Sequence, residues 1–303
     1  MKDKTFRTGI GDAAAVPTVD VSTCNLCGLC AKVCGTGLMI KDGAVAFNED
    51  AFAGCIGCGQ CMAICPTGSI TVTGRKMSPE MRMPMPAPEE FATPDQLESL
   101  LRRRRSVRIY SDKEVDRFII DRILRMASTA PMGIPPSDVG VVVFIGRKKV
   151  GEFREDMLDL FQSMSKYFNR GLLAIMRPFM KKASYEMLRD FVRPVFKEYA
   201  RGREKGVDFL FYDCPLVLLF HSGPYSDPAD SYIAATYAMI AAESLGLGTC
   251  MNGMIPIMNY NRKLMQKYGI PKGNKVAIGI MMGYPAIRYQ RTLRRDFASV
   301  TFN

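Results

Sequence analysis

Residues 24–34 read CNLCGLCAKVC, and residues 55–66 read CIGCGQCMAICP. Each segment carries four cysteines with the spacing C-x-x-C-x-x-C-x-x-x-C, and every cysteine of the second segment lies 31 residues after its counterpart in the first. Eight of the ten cysteines of this 303-residue chain belong to this internal repeat. The repeat therefore decides how the first quarter of the chain is interpreted.

The spacing is typical of iron–sulfur ligands. Two-residue gaps let three thiolates of one tight loop reach one cubane, and the fourth cysteine, further along a helical turn, ligates the other cluster. We therefore expect two [4Fe-4S] clusters. The predicted ligands of the first iron–sulfur site are Cys24, Cys27, Cys30 and Cys65. Those of the second iron–sulfur site are Cys55, Cys58, Cys61 and Cys34.

Two other uses of the cysteines compete with this interpretation. Zinc usually takes four ligands from paired C-x-x-C knuckles, which the tightly spaced third cysteine of each repeat fits poorly. A disulfide framework would need a secreted chain. No charged-then-apolar leader opens the sequence, since Met1–Lys4 runs into a polar segment. Iron–sulfur ligation is the favoured interpretation.

The repeat resembles the bacterial two-cluster ferredoxins over roughly residues 15–75. Pro66 matches the Cys-Pro ending of that family's motif, whereas Gly35 departs from it after the first repeat. The departure affects a loop and none of the ligands.

Length and hydropathy suggest about two domains. We expect a two-cluster domain over residues 1–75, a linker rich in proline and methionine over 76–92, and a second domain over 93–303 with a helical insertion at 150–206. The longest apolar candidate, residues 232–248, contains Glu243 and falls short of the roughly 20 residues that span a bilayer. A cytoplasmic protein without a transmembrane segment is expected.

The net charge is +11 and the pI is about 9.2. A basic balance can steer an acidic protein partner onto the surface, and it can equally reflect a solvated basic face with no partner. Binding of nucleic acid is disfavoured, because the one arginine run is short and lacks interleaved aromatic residues.

Local patterns predict the secondary structure. Residues 38–47 indicate a hairpin turning at Asp42-Gly43, and residues 69–72 a short strand. Thr93, Pro94 and Gln96 form the capping box of a helix start. Further helices are predicted over 115–126 and 229–245, and strands over 139–145, 215–221 and 275–284. Strands separated by helices indicate a layered sheet with helices on its faces.

The segment Arg102–Arg108, RRRRSVR, follows the first of these helices. Guanidinium groups pair bidentately with phosphate, and a serine hydroxyl adds a neutral donor. Four consecutive arginines cannot all face one phosphate, so we expect two of them to be solvated. The predicted phosphate ligands are Arg104, Arg105, Ser106 and Arg108.

Residues 94–303 resemble the nitroreductase superfamily, whose members bind FMN in a symmetric dimer. The resemblance rests on four motifs in the expected order: Arg104–Arg108, the Gly-Leu-Gly of 246–248, the Gly-Tyr-Pro of 283–285 and the basic cluster of 291–295. With the repeat it implies an α+β fold, in which a small ferredoxin-like two-cluster domain precedes a nitroreductase-type α/β sandwich with a mixed sheet and helices on both faces.

The same resemblance implies the flavin contacts. Pro131, Met132 and Gly133 would lie along the flavin, and Met251, Asn252 and Gly253 would present a backbone amide to its reactive ring nitrogen. Arg295, and less directly Arg291, would add phosphate ligands. Where relatives often have an Asn and a Gln-Pro-Trp segment, this chain has residues 134–138, IPPSD, so the pyrimidine-edge contacts are not implied.

The resemblance implies an oxidoreductase that passes electrons singly through two clusters to FMN and in pairs to a small organic acceptor. The acceptor would be a nitroaromatic, a quinone, an activated alkene or a halogenated aromatic. The electron donor stays open between NAD(P)H and an acidic low-potential carrier such as ferredoxin or flavodoxin, which the basic charge and the fused clusters favour. The alternative is an electron-transfer module between protein partners. No catalytic side chain is predicted, since His221, Cys214 and Cys250 are expected in the core.

Overall fold

The architecture comes from a computed structural model. It describes residues 15–35, 37–48, 54–133, 138–166, 171, 173, 175 and 177–302. The chain forms two compact units. The first unit comprises Met1–Phe91, Pro131–Val139 and Ser222–Asp230, and the second comprises Ala92–Ala130, Gly140–His221 and Ser231–Asn303.

The described residues of the first unit form two short antiparallel strand pairs and two short α-helices. Strand β1 (Val16–Val19) pairs with β4 (Ile70–Thr73), and β2 (Leu38–Lys41) pairs with β3 (Ala44–Phe47). The helices are α1 (Leu29–Cys34) and α2 (Gln60–Ile64). The predicted hairpin is confirmed, and Asp42 and Gly43 take φ values of 51° and 75°, as a type I′ turn requires. The sequence did not predict β1.

The core of this unit is small. Its buried apolar side chains include Ile70, Val72, Leu38 and Met62. Two cysteines, Cys30 and Cys61, are buried among them. The part of this unit that the structure describes buries few apolar side chains, so a further source of stability, such as bound metal, is expected.

The second unit begins with the predicted capping box. The Gln96 amide N–H donates to Thr93 Oγ1 at 3.2 Å, and the Thr93 amide N–H donates to Gln96 Oε1 at 2.9 Å. The helices are α3 (Pro94–Arg103), α4 (Arg117–Ala127), α5 (Gly146–Ser165), α6 (Lys182–Met187), α7 (Arg193–Glu204), α8 (Pro228–Ser244) and α9 (Arg262–Lys267). A π-helical turn, Leu188–Val192, joins α6 to α7.

Four strands form the main sheet: β5 (Val139–Ile145), β6 (Leu216–Ser222), β7 (Gly248–Asn252) and β8 (Lys275–Gly283). Their order is β5-β6-β8-β7, and β7 runs antiparallel to β8. Ser106 forms a parallel bridge with Thr249 in β7, so the sheet is mixed. The predicted α+β class is confirmed. The sequence predicted a turn before β7 but did not predict this strand.

Helices and loops cover both faces of the sheet. Every residue of β6 is buried. Val217 and Leu219 pack in one core cluster with Phe153 and Phe161 of α5. Successive side chains of a strand point to opposite faces, so the equally buried Leu216, Leu218 and Phe220 serve the other face. This double burial explains why the strand has a continuous apolar sequence.

The predicted insertion at 150–206 is helical wherever the structure describes it, apart from short turns. Its first part belongs to the core, because Phe153 of α5 stacks on Phe144 at 4.2 Å and on Phe211 at 5.3 Å. No helix within the described part of the chain is long and apolar enough to cross a bilayer.

Candidate functional site

Each cysteine loop of the first unit ends in a short helix that begins after a glycine. Gly28 precedes α1 with φ 74°, and Gly59 precedes α2 with φ 72°. Glycine adopts a left-handed backbone conformation far more readily than other residues do. This explains why glycine occupies the equivalent position of both repeats. The two loops therefore share one local geometry.

The thiols fall into two groups. Cys30 lies within electrostatic reach of Cys65 and Cys24. Cys61 lies within reach of three other thiols, Cys55, Cys58 and Cys34. Each group contains one cysteine of the other repeat, which is Cys65 in the first group and Cys34 in the second. This arrangement suits the two predicted iron–sulfur sites, and the assignment of ligands stays a prediction.

Burial raises the pKa of Cys30 and Cys55, and it raises the pKa of Cys61 to about 11. Burial also acts to raise the pKa of Cys65, but hydrogen bonds from the Thr67 hydroxyl and nearby backbone groups outweigh it and leave that pKa below its ordinary value. Iron and zinc bind thiolates. Binding of metal therefore has to displace the protons of Cys30, Cys55 and Cys61, the three thiols whose pKa is raised.

The thiol geometry does not suit a single metal ion. Among the described residues, no three Cys, His, Asp or Glu side chains converge closely enough to hold one ion. A tetrahedral zinc site needs such convergence, with each sulfur about 2.3 Å from the metal. A cubane does not need it, since each cysteine binds a different iron.

In the second unit, the four consecutive arginines separate into two pairs. Arg102 forms an ion pair with Glu98 at 3.2 Å. Arg103 donates to the Glu243 carboxylate at 3.0 Å and to the Glu243 carbonyl at 2.8 Å. Both side chains are largely exposed. Arg104 and Arg105 follow the end of α3 and are half-buried.

Arg104 and Arg105 line a cavity of about 540 Å³. Arg294 and Arg295 of the carboxyl-terminal tail line the same cavity, as do Glu98 and Arg102. Clustered guanidinium groups bind phosphate through charge-assisted, bidentate hydrogen bonds. The cavity thus contains three of the predicted phosphate ligands, Arg104, Arg105 and Arg295. It also contains Arg294, which was not among the ligands predicted from the sequence although it is the neighbour of Arg295.

The other predicted phosphate ligands lie elsewhere. Ser106 is exposed, and its backbone forms the bridge with Thr249. Arg108 stacks over the Tyr212 ring at 5.9 Å. The described residues that line the cavity do not include Ser106, Arg108 or Arg291.

The end of β7 is open to solvent at two residues. The Met251 side chain is 40% exposed, and a Cβ on Gly253 would meet nothing within 4 Å. Asn252 is buried between them, where its Nδ2 donates to the Leu210 carbonyl at 2.8 Å and its Oδ1 accepts the Met254 amide N–H at 3.0 Å. The Asn252 side chain therefore holds the strand end in place, and the predicted flavin contacts of 251–253 rest on the backbone.

Residues 131–133 belong to the first unit. There the Gly133 amide N–H donates to Oδ1 of Asp230, a buried carboxylate in the first turn of α8, at 3.0 Å. Residues 134–137, where the sequence departs from the family motif, lie outside the described residues. The predicted flavin contacts of Pro131, Met132 and Gly133 stay predictions.

Three residues with reactive side chains, one histidine and two cysteines, are buried in the core. His221 is 7% exposed, and its Nδ1 lies 3.0 Å from Asn274 Nδ2. Cys214 and Cys250 are buried, and burial raises the pKa of Cys214 to about 12. All three are core residues, as the sequence predicted.

Comparisons with known proteins identify both parts of the chain. Residues 101–284 match the nitroreductase family model, and residues 23–70 match a 4Fe-4S dicluster domain. A Bacteroides fragilis nitroreductase with bound FMN matches with a TM-score of 0.51 and 17% identity, over 68% of this chain and 99% of its own. An FMN-dependent nitroreductase of Clostridium difficile matches with a TM-score of 0.48 and 19% identity, over 69% of this chain and 100% of its own. No curated protein matches the chain.

Proposed function

This chain belongs to the nitroreductase family and carries a 4Fe-4S dicluster domain ahead of the family region, and we propose that it is an iron–sulfur flavoprotein that reduces a small organic acceptor. One observation carries the proposal: one unit brings thiols of the two cysteine repeats together in two groups, and the other unit has an arginine-lined cavity. The first suits one-electron carriers, and the second suits a flavin phosphate.

The second unit would hold FMN by its phosphate. Arg104, Arg105 and Arg295 would pair with the phosphate oxygens, together with Arg294. FMN is the flavin bound in the Bacteroides fragilis protein, whose fold this unit shares. The backbone of Met251 and Gly253, two residues that are exposed to solvent, would meet the flavin ring.

The eight thiols of the first unit would hold two [4Fe-4S] clusters in the pairing described above. When bound, the clusters carry single electrons, and FMN collects two and delivers them with a proton as a hydride equivalent. The protein would use its donor and acceptor in turn, in a ping-pong cycle.

We propose an acidic low-potential protein, such as a ferredoxin or flavodoxin, as the electron donor. The net charge of +11 favours its approach. The first 91 residues carry eight Lys and Arg against nine Asp and Glu, so the positive excess lies in the rest of the chain. Long-range attraction of the donor would therefore act through the second unit. A homodimer, as in the resembling family, is proposed as the working assembly.

The acceptor would be a nitroaromatic, a quinone, an activated alkene or a halogenated aromatic. We propose that the helical segment following α5 covers the flavin and sets this choice. Helix α5 itself is excluded from that role, because Phe153 and Met157 are fully buried in the core. The part of the insertion that would cover the flavin and select the acceptor therefore begins after Ser165.

Anaerobic reconstitution tests the proposal. We expect about eight irons and one FMN per chain, because each of the two [4Fe-4S] clusters contains four irons. The photoreduced protein is then mixed with each acceptor class, and flavin and cluster absorbance are followed. Reoxidation with two electrons consumed per acceptor supports the enzyme. Reoxidation only by an oxidised protein carrier would instead identify an electron-transfer module, and colourless protein without iron would refute both.

A further inference from the structure

A further cavity lies in the helical insertion. Its volume is about 740 Å³, and its walls come from α6, the π-helical turn Leu188–Val192 and α7, with Leu173 from the preceding segment. Pockets that hold small organic ligands measure roughly 300–1,000 Å³. π-Helical turns are rare and occur frequently at functional sites. The cavity is therefore large enough for a small organic ligand, and an unusual backbone forms part of its wall.

One part of the wall is apolar and aromatic. It consists of Leu173, which is 2% exposed, and of Tyr185 and Pro194. Two cations hold the Tyr185 ring: the Arg177 guanidinium lies 5.8 Å from its centroid and the Arg189 guanidinium 5.3 Å from it. Such cation–π contacts restrict the movement of the ring. The wall thus offers an apolar group a surface on which to pack.

The rest of the wall is charged, and both of its acids are already engaged by arginines. The Asp190 carboxylate accepts hydrogen bonds from Nε and Nη2 of Arg189, each at 2.6 Å. Glu198 forms an ion pair with Arg201, which lies one turn further along α7. The negative charge of each acid is therefore offset by its own arginine.

Two cations of the wall have no such partner. Within the part of the chain that the structure describes, the side chains of Arg193 and Lys197 form neither a hydrogen bond nor an ion pair. They stand four residues apart in α7 and so share one face of the helix. Arg193 is half-buried. Two neighbouring cations repel each other, and an anion bound between them would relieve this repulsion.

We infer that this cavity binds a small aromatic acid, whose carboxylate pairs with Arg193 and Lys197 and whose ring packs against Tyr185. A guanidinium holds a carboxylate through two parallel hydrogen bonds, which a neutral ligand cannot form in the same way. An inorganic anion would leave the apolar wall unused. A protein partner needs about 800 Å² of surface on each side, so the concave shape favours a small ligand. The inference goes beyond the proposed function, because it uses neither the phosphate cavity nor the cysteine repeats.

The probe is 2-naphthoate, and 2-naphthamide is its neutral control of nearly the same shape. Full-length protein is reconstituted with iron and FMN, freed of excess flavin and titrated with each compound by calorimetry. Arg193→Met and Lys197→Met each remove one unpaired cation, and Arg193→Lys keeps the charge without the planar guanidinium. Lys182→Met is the matched control, since Lys182 belongs to α6, is 90% exposed and is not among the described residues that line the cavity.

We expect native protein to bind 2-naphthoate about tenfold or more tightly than 2-naphthamide, with a stoichiometry of about one per chain. Arg193→Met should weaken binding of 2-naphthoate about tenfold, as the loss of one charge-assisted hydrogen bond requires. Lys197→Met should weaken it about two- to fivefold, because water screens the exposed ammonium group. Arg193→Lys should fall between native protein and Arg193→Met. Binding of 2-naphthamide should stay unchanged in every variant, and Lys182→Met should bind both compounds as native protein does.

Equal binding of the two compounds by native protein would overturn the inference. Binding of 2-naphthoate that neither Arg193→Met nor Lys197→Met weakens would overturn it as well. A polyglutamate peptide or anionic vesicles might be bound in an Arg193-dependent way while 2-naphthoate is not, and that result would assign the surface to a macromolecule instead. Should Arg193→Met fail to fold, Lys197→Met decides, because its side chain is exposed. The iron and FMN contents of the same preparations test the proposed function separately.

Discussion

A Cβ atom on Gly248 would stand 2.5 Å from Cγ2 of Val107, closer than two carbon atoms can approach. Val107 cannot easily move aside. Its amide N–H donates to the Thr249 carbonyl at 2.9 Å, and its carbonyl accepts the Tyr110 hydroxyl at 2.7 Å. Gly248, the second glycine of Gly-Leu-Gly, is thus required because the arginine-bearing segment packs directly against β7 at this point. The first, Gly246, has φ 80° just after α8 and permits the left-handed turn there.

Gly248→Ala should destabilise the protein by about 1–3 kcal/mol, because the new methyl group overpacks against Val107. Urea unfolding measures the loss. Gly151→Ala is the control, since a Cβ at this α5 position meets nothing within 4 Å. That change should be neutral or stabilising by up to about 1 kcal/mol. In a Val107→Ala background the cost of Gly248→Ala should shrink, and strictly additive effects would contradict the contact.

Arg105→Met should weaken the binding of FMN about tenfold or more, because one charge-assisted hydrogen bond contributes about 1.5–3 kcal/mol. Binding of riboflavin, which lacks the phosphate, should stay near the native value. Fluorescence titration with both flavins measures the discrimination. Arg103→Met serves as the control, since Arg103 is engaged by Glu243. Equal losses for FMN and riboflavin would show that Arg105 does not bind the phosphate.

Arg294→Met should weaken FMN binding more than Arg291→Met. Only Arg294 of this pair lines the cavity with Arg104 and Arg105. Each substitution removes one positive charge from the same exposed tail. The change in overall charge should therefore affect FMN binding equally in both variants. The ratio of their FMN dissociation constants is the measurement. A larger effect of Arg291→Met would show that Arg291, as predicted from the sequence, contributes more to phosphate binding than Arg294 does.

Asp208→Asn should destabilise the protein by about 2–3 kcal/mol. The buried Asp208 carboxylate accepts the amide N–H groups of Leu210 at 2.9 Å, Phe211 at 2.8 Å and Asp213 at 3.1 Å. Hydrogen bonds to a charged acceptor contribute more than those to a neutral amide. Asp213→Asn is the control, because that side chain is 72% exposed. Thermal unfolding that is equally affected by both changes would contradict this role.

The sequence predicted well wherever the decisive interactions are local. The capping box at Thr93 joins residues three apart, and the Asp42-Gly43 turn joins adjacent strands. Both signals depend on a few neighbouring residues, so they can be recognised without knowing the rest of the fold. Strand β7 could not be recognised in this way, since its five residues are held by pairing with β8 from a distant part of the chain.

The sequence alone determined that this chain contains a duplicated cysteine repeat and the motifs of a nitroreductase domain, because these features are local spacings and residue types. Only the tertiary structure decided that Arg105 shares a cavity with Arg294 and that Asn252 holds its strand end through Leu210. It also decided that Arg75 is buried beside Gly57. These relationships depend on which distant segments pack together, and packing follows from the burial of the whole core and cannot be read from any one segment.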